Sequence, residues 1–172
     1  MMRIILAIFL LTLSACAGLP PGVMPVEGFE LNRYLGKWHE IARLDHSFER
    51  GLTDITAEYS LRDDGGVRVI NSGFSREDGE RRSAEGKAYF VQSPNVGQLE
   101  VSFFGPFYGS YNIIALDKAN YAYVMIAGNN PDYLWILSRT PTLDPAIVRR
   151  LVDQAKTLGF PIEKLIYSQP QN

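Results

Sequence analysis

The stretch Thr53–Ser75, TDITAEYSLRDDGGVRVINSGFS, reads as two β-strands joined by a tight turn. Short alternating or apolar runs fill 53–62 and 66–75, and Asp63-Asp64-Gly65-Gly66 between them supplies residues that tolerate a hairpin's positive φ. Working outward, similar runs recur near 37–46 upstream and near 84–92, 97–104, 108–117, 121–128 and 132–139 downstream. Turn residues separate them: Glu77-Asp78-Gly79-Glu80, Ser93-Pro94-Asn95, Asp117-Lys118-Ala119-Asn120 and Asn129-Asn130-Pro131-Asp132. Eight strands in consecutive order with short turns predict an all-β fold, an eight-stranded antiparallel up-and-down barrel. Closing the meander removes both of its exposed edges. A two-sheet sandwich competes with the barrel on pattern alone.

One helix follows the strands. Asp144 can cap it, and Pro145 suits the first turn, where a missing N–H costs nothing. Ile147, Val148, Leu151, Val152, Ala155 and Leu158 make one apolar stripe opposite Arg149, Arg150, Asp153 and Lys156, and Gly159 ends the helix. The stripe predicts a C-terminal α-helix packed on the outside of the barrel wall. Lys164–Tyr167 then reads as a short final strand.

The chain has 172 residues, enough for one domain with a substantial core. Its net charge of −2 and lack of a basic run speak against a nucleic-acid partner. Its one cysteine cannot form an internal disulfide. That cysteine follows a short positive start, Met1-Met2-Arg3, and an apolar run, Ile4–Leu13. The run is about half of the roughly 20 residues needed to cross a bilayer as a helix, and it fits a secretory leader. Leu13-Ser14-Ala15-Cys16 resembles the lipobox of bacterial lipoproteins. The resemblance implies cleavage before Cys16 and acylation there, and the absence of Asp at Ala17 implies the outer membrane. A soluble protein cut after Ala15 is the plainer alternative. The organisation expected is a signal peptide over 1–15, an acylated cysteine and Pro/Gly-rich tether over 16–29, and one domain over 30–172. The tether could reach on the order of 40 Å when stretched.

Three ordered motifs then connect the body to a family. Gly36-Lys37-Trp38 continues as His-Glu-Ile-Ala-Arg43 and is followed by Phe48-Glu49-Arg50-Gly51. Leu116-Asp117-Lys-Ala-Asn-Tyr121 precedes the seventh strand, and Leu134-Trp-Ile-Leu-Ser-Arg139-Thr-Pro141 ends the eighth. With these, residues 29–168 resemble the lipocalins, and within them the bacterial lipocalins and apolipoprotein D. Leu116 stands where Thr is common in the second motif. The lack of disulfides favours the bacterial branch.

Trp38 is expected to plug the narrow end of the barrel, with Arg139 laid over its ring. Strand parity then turns Trp135 and Leu137 inward, with Tyr133 nearer the mouth. Family register places Tyr111, Ile113, Val124 and Ile126 inward as well. This mostly apolar lining suits an acyl chain with its head group at the mouth. The resemblance thus implies a membrane-anchored lipocalin that binds and stores or transports fatty acids or lysophospholipids in the cell envelope, on the periplasmic face. Related bacterial lipocalins can pair, so a homodimer is among the expectations. Inward residues that fill the barrel and leave no cavity are the opposing possibility, which would suit a purely structural envelope lipoprotein.

No enzyme, metal or cofactor is expected. Asp45-His46-Ser47 has the letters of a hydrolase triad, but adjacent strand residues face opposite ways and cannot form the relay. His39 and His46 are the only histidines, and seven positions apart they fall on opposite faces of a continuous strand. Carboxylates cluster in turns, where solubility explains them. A lipocalin-fold enzyme acting on a lipid stays open, because fold does not fix function.

Overall fold

The computed structural model describes residues 19–168. The expected signal peptide and Cys16 lie outside the described residues.

A single turn of helix, α1 (Leu31–Tyr34), leads into β1 (Gly36–Arg43). Then come β2 (Leu52–Leu61), β3 (Val67–Ser75), β4 (Glu80–Phe90), β5 (Gln98–Phe104), β6 (Phe107–Leu116), β7 (Tyr123–Ala127) and β8 (Leu134–Ser138). Each strand pairs antiparallel with the next, and β1 pairs with both β8 and β2, so eight strands close into a barrel. The expected strands are all present, with ends moved by up to four residues. The turn helix α1 was not anticipated.

Closure is not uniform along β1. Its first half, Gly36–His39, pairs with β2, while Ala42 and Arg43 pair with β9 (Ile166–Tyr167). The last strand therefore occupies the edge that β2 leaves as it diverges. A β-bulge between Glu40 and Ala42, opposite β8, marks the same place. A bulge adds a residue and bends its strand.

Two apolar layers result. The interior cluster holds Trp38, Tyr59, Val67, Val69, Ile113, Val124, Ile126 and Leu137. The outer cluster holds Ile41, Ile114, Met125, Leu134 and Ile136, covered by Leu151 and Ala155 of α2 (Pro145–Thr157). Successive residues of β7 and β8 alternate between the two clusters, as the two-residue period of a strand requires. The Asp144 carboxylate accepts from the Ala146 N–H at 2.7 Å, Pro145 opens the helix, and Gly159 just beyond it has φ +85°. This fits the expected cap and stop.

Of the segment read as a tether, residues 19–29 lie against the barrel, with Val23 and Phe29 buried. The Val26 N–H donates to the Ile113 carbonyl, and the Val26 carbonyl accepts from the Gly97 N–H, both at 2.8 Å. Gly97 permits this crossing, because a Cβ there would stand 2.9 Å from both Val26 and Ile113.

Candidate functional site

The two ends of the barrel differ. At the end where β1 begins, Trp38 is fully buried and its indole N–H donates to the Tyr34 carbonyl at 2.8 Å. The Arg139 guanidinium carbon lies 3.9 Å from the centre of the Trp38 ring. Its nitrogens donate to the carbonyls of Arg33 (2.7 Å), Lys37 (3.0 Å) and Tyr121 (3.3 Å). The planar fork thus ties three chain segments together across the indole. Gly36 completes the closure. Its φ is +92°, and a Cβ there would lie 3.5 Å from Arg139.

Above this floor the interior side chains leave a gap of about 10 Å3, room for about one water molecule. Aliphatic residues of β3–β5 form one wall: Val67, Val69, Ala88, Leu99 and Val101. Phe29, Leu31, Tyr34, Tyr59 and Tyr111 form the other. The Tyr111 hydroxyl is hydrogen-bonded to those of Tyr34 (2.6 Å) and Tyr59 (2.7 Å). Burial pushes all three phenols up, that of Tyr59 to about 12. They are neutral hydrogen-bonding groups at any ordinary pH.

Of the residues expected to meet ligand, Tyr111 is therefore at the gap. Ile113, Val124 and Ile126 face inward but are fully packed around Leu137 and Trp38. Trp135 and Tyr133 stand higher, with ring centres 6.1 Å apart. The wall from β3–β5 was missed, although Val67-x-Val69 has the alternation of an inward pair.

At the open end lies a buried group to which the first motif gave no role, although that motif contains Glu40, Arg43 and Glu49. Glu40, Arg43, His46 and Glu49 are all buried. Arg43 donates to Glu40 at 2.6 Å and to the Glu49 carbonyl at 3.3 Å. The indole N–H of Trp135 donates to the Glu49 carboxylate at 3.1 Å, and His46 Nε2 lies 2.9 Å from the same oxygen. Ser168 donates to Glu40 at 2.7 Å from beside β9. Burial, reinforced by the Glu49 charge, raises the Glu40 carboxyl above the usual carboxylate range. The expectation that carboxylates serve turns and solubility is corrected for these two. Nor do the histidines share one continuous strand: β1 ends at Arg43, and His46 belongs to the loop that folds over the mouth. Asp45 pairs with Arg50 at 2.7 Å, while the neighbouring His46 faces Glu49. Asp45-His46-Ser47 thus gives no acid–base relay, since its first two members serve other partners.

A closed eight-stranded barrel, a Trp–Arg floor and an outer helix together specify a family, and the comparisons agree. Residues 29–170 match the model of the lipocalin-like domain. The chain belongs to the lipocalins. It is 55% identical to the outer membrane lipoprotein Blc of Vibrio cholerae over 96% of this chain and 99% of that one. The Blc of Escherichia coli K12 is 50% identical, covering 95% and 92%. Bovine apolipoprotein D is 36% identical, covering 85% and 79%. Among solved structures, insecticyanin of Manduca sexta superposes with a TM-score of 0.70 at 23% identity, covering 90% and 89%, which speaks to the fold. With relatives this close named as outer membrane lipoproteins, the address of this lipocalin is the outer membrane.

Proposed function

We propose that this lipocalin is acylated at Cys16, sits on the periplasmic face of the outer membrane, and binds a fatty acid or lysophospholipid inside its barrel for storage or transport. The observation that carries the reading is the apolar gap over the tyrosine trio, walled by side chains no larger than Leu on β3–β5. Ligand pockets are generally some 300–1,000 Å3, and the space open to water is far below that. Binding an acyl chain therefore requires the interior to open. Tyr111, Phe103 and Trp135 are only partly buried against the interior cluster, so they are the side chains to move. Uptake is then coupled to a conformational change, and entry is slower than simple diffusion into a preformed pocket.

Native mass spectrometry of delipidated chain exposed to palmitate or lysophosphatidylethanolamine tests the reading. One lipid retained per barrel, with a change in Trp135 fluorescence, is the expected result. The narrow gap favours one second reading, a structural envelope lipoprotein. Absence of saturable uptake of either lipid would establish that reading instead. The same spectra report whether the chain forms a homodimer.

A further inference from the structure

The outer wall of the barrel carries more open space than its interior. A groove of about 430 Å3 is lined by Val26, by Ala115 and Leu116 of β6, by Tyr123 of β7, and by Leu151 and Gln154 of α2. That volume falls within the some 300–1,000 Å3 typical of ligand pockets. The gap inside the barrel, at about 10 Å3, does not. Arg150 also borders the groove and donates to the Tyr123 hydroxyl.

The N-terminal segment indicates what covers this groove. Pro20–Val23 is a hydrogen-bonded β-turn: the Val23 N–H donates to the Pro20 carbonyl at 3.1 Å, and Gly22 has φ +78°. Pro21 and Gly22 are the central pair that a type II turn favours. Such a turn reverses the chain, so Leu19 heads back along Met24–Val26, and Val26 borders the groove. The turn is held in place, because Pro20 and Val23 are buried and Leu19 packs against the outer cluster. Only Ala17 and Gly18 separate Leu19 from Cys16, a reach of about 10 Å.

We infer that the chain keeps this course back to Cys16, and that the acyl chain on the Cys16 amine lies in the groove between Val26 and α2. The lipid on the Cys16 sulfur then enters the bilayer. The inference rests on the acylated-anchor reading above. Lying in the groove removes the chain's methylenes from water. Acylation also takes away the positive charge of the terminal amine, which would otherwise face Arg150. The anchor is thereby tied short, and the barrel is drawn against the membrane instead of ranging over the reach of an extended tether.

The test uses the mature acylated chain, its intact mass measured first, with 13C in the Leu and Val methyl groups. It is placed in nanodiscs of perdeuterated phosphatidylethanolamine and phosphatidylglycerol, so that no bilayer lipid supplies protonated methylenes. Nuclear Overhauser contacts from the methyls of Val26, Leu116 and Leu151 to acyl methylenes are the expected result. The Cys16→Ser chain in the same nanodiscs should lack them. So should Gln154→Trp, which lays an indole over the groove from an exposed position of α2 and leaves the core untouched. An intact mass that includes the amide-linked acyl chain, together with no such contacts, would overturn the groove assignment and leave the anchor reading standing. Contacts that appear only with protonated bilayer lipid would overturn it as well, because a membrane lipid would then be the occupant. A mass without that acyl chain would sink both readings.

Discussion

The closed and open ends of this barrel each hold an arginine, half-buried at one end and buried at the other, and they hold it differently. Below, Arg139 lies flat on Trp38 and spends its donors on backbone carbonyls of three segments. Above, Arg43 faces two buried carboxylates, and Glu40 Oε2, Arg43 Nε and His46 Nδ1 lack hydrogen-bond partners among the described residues. At the floor the guanidinium's donors are taken up by backbone carbonyls. At the mouth the cation instead offsets the desolvation of two buried carboxylates. Ties to the backbone thus define the closed end, and buried charge pairing defines the open one.

The largest test of this contrast is Trp38→Ala. It removes a fully buried indole and strands Arg139, and should cost ~3–5 kcal/mol of unfolding free energy in urea titrations. At the other end, Arg43→Met leaves Glu40 and Glu49 buried without their cation, at a cost of about 3 kcal/mol. Here the second substitution Glu40→Gln should recover part of the loss, whereas no second change at the floor should rescue Trp38→Ala. Failure of that rescue would break the comparison. Gly36→Ala should cost about 1–2 kcal/mol, because φ of +92° strains any side chain. It should leave lipid uptake rates unchanged.

The smallest effect is a pH dependence. Glu40 holds its proton more tightly in the folded chain than in the unfolded one. Between the ordinary carboxylate range and its raised value the native state binds more protons, so stability falls as pH rises through that window. Glu40→Gln should flatten this slope in melts recorded from pH 4.5 upward, and an unchanged slope would assign it to another group.

Most of the barrel was legible in the chain because strands announce themselves locally. The Asp63–Gly66 turn, the alternation on either side of it and the capped helix at Asp144 each follow from neighbouring residues. The inward placement that family register implied for Tyr111, Ile113, Val124 and Ile126, and parity for Leu137, agrees with the interior cluster, since β6 up to Ile113, β7 and β8 keep a two-residue period. Facing inward did not mean lining the gap, however. Ile113, Val124 and Ile126 are packed solid, and the gap lies against β3–β5, whose aliphatic residues line it. Space inside a barrel depends on the sum of side-chain volumes around it, which no single strand records.

By itself the sequence determined the strand order, the helix and its cap, the family motifs and the position of the only cysteine. These depend on backbone preferences and spacing within a few residues. The tertiary structure alone decided that Glu40 and Arg43 share a face. Three positions apart on a regular strand they would point to opposite sides, and the bulge between Glu40 and Ala42 shifts the register by one. It alone decided, too, that residues 19–29 lie along the wall, because a bond from Val26 to Gly97 and Ile113 exists only once the barrel is built. Local chemistry wrote the strands, and long-range closure chose which charges are buried and which end is left open.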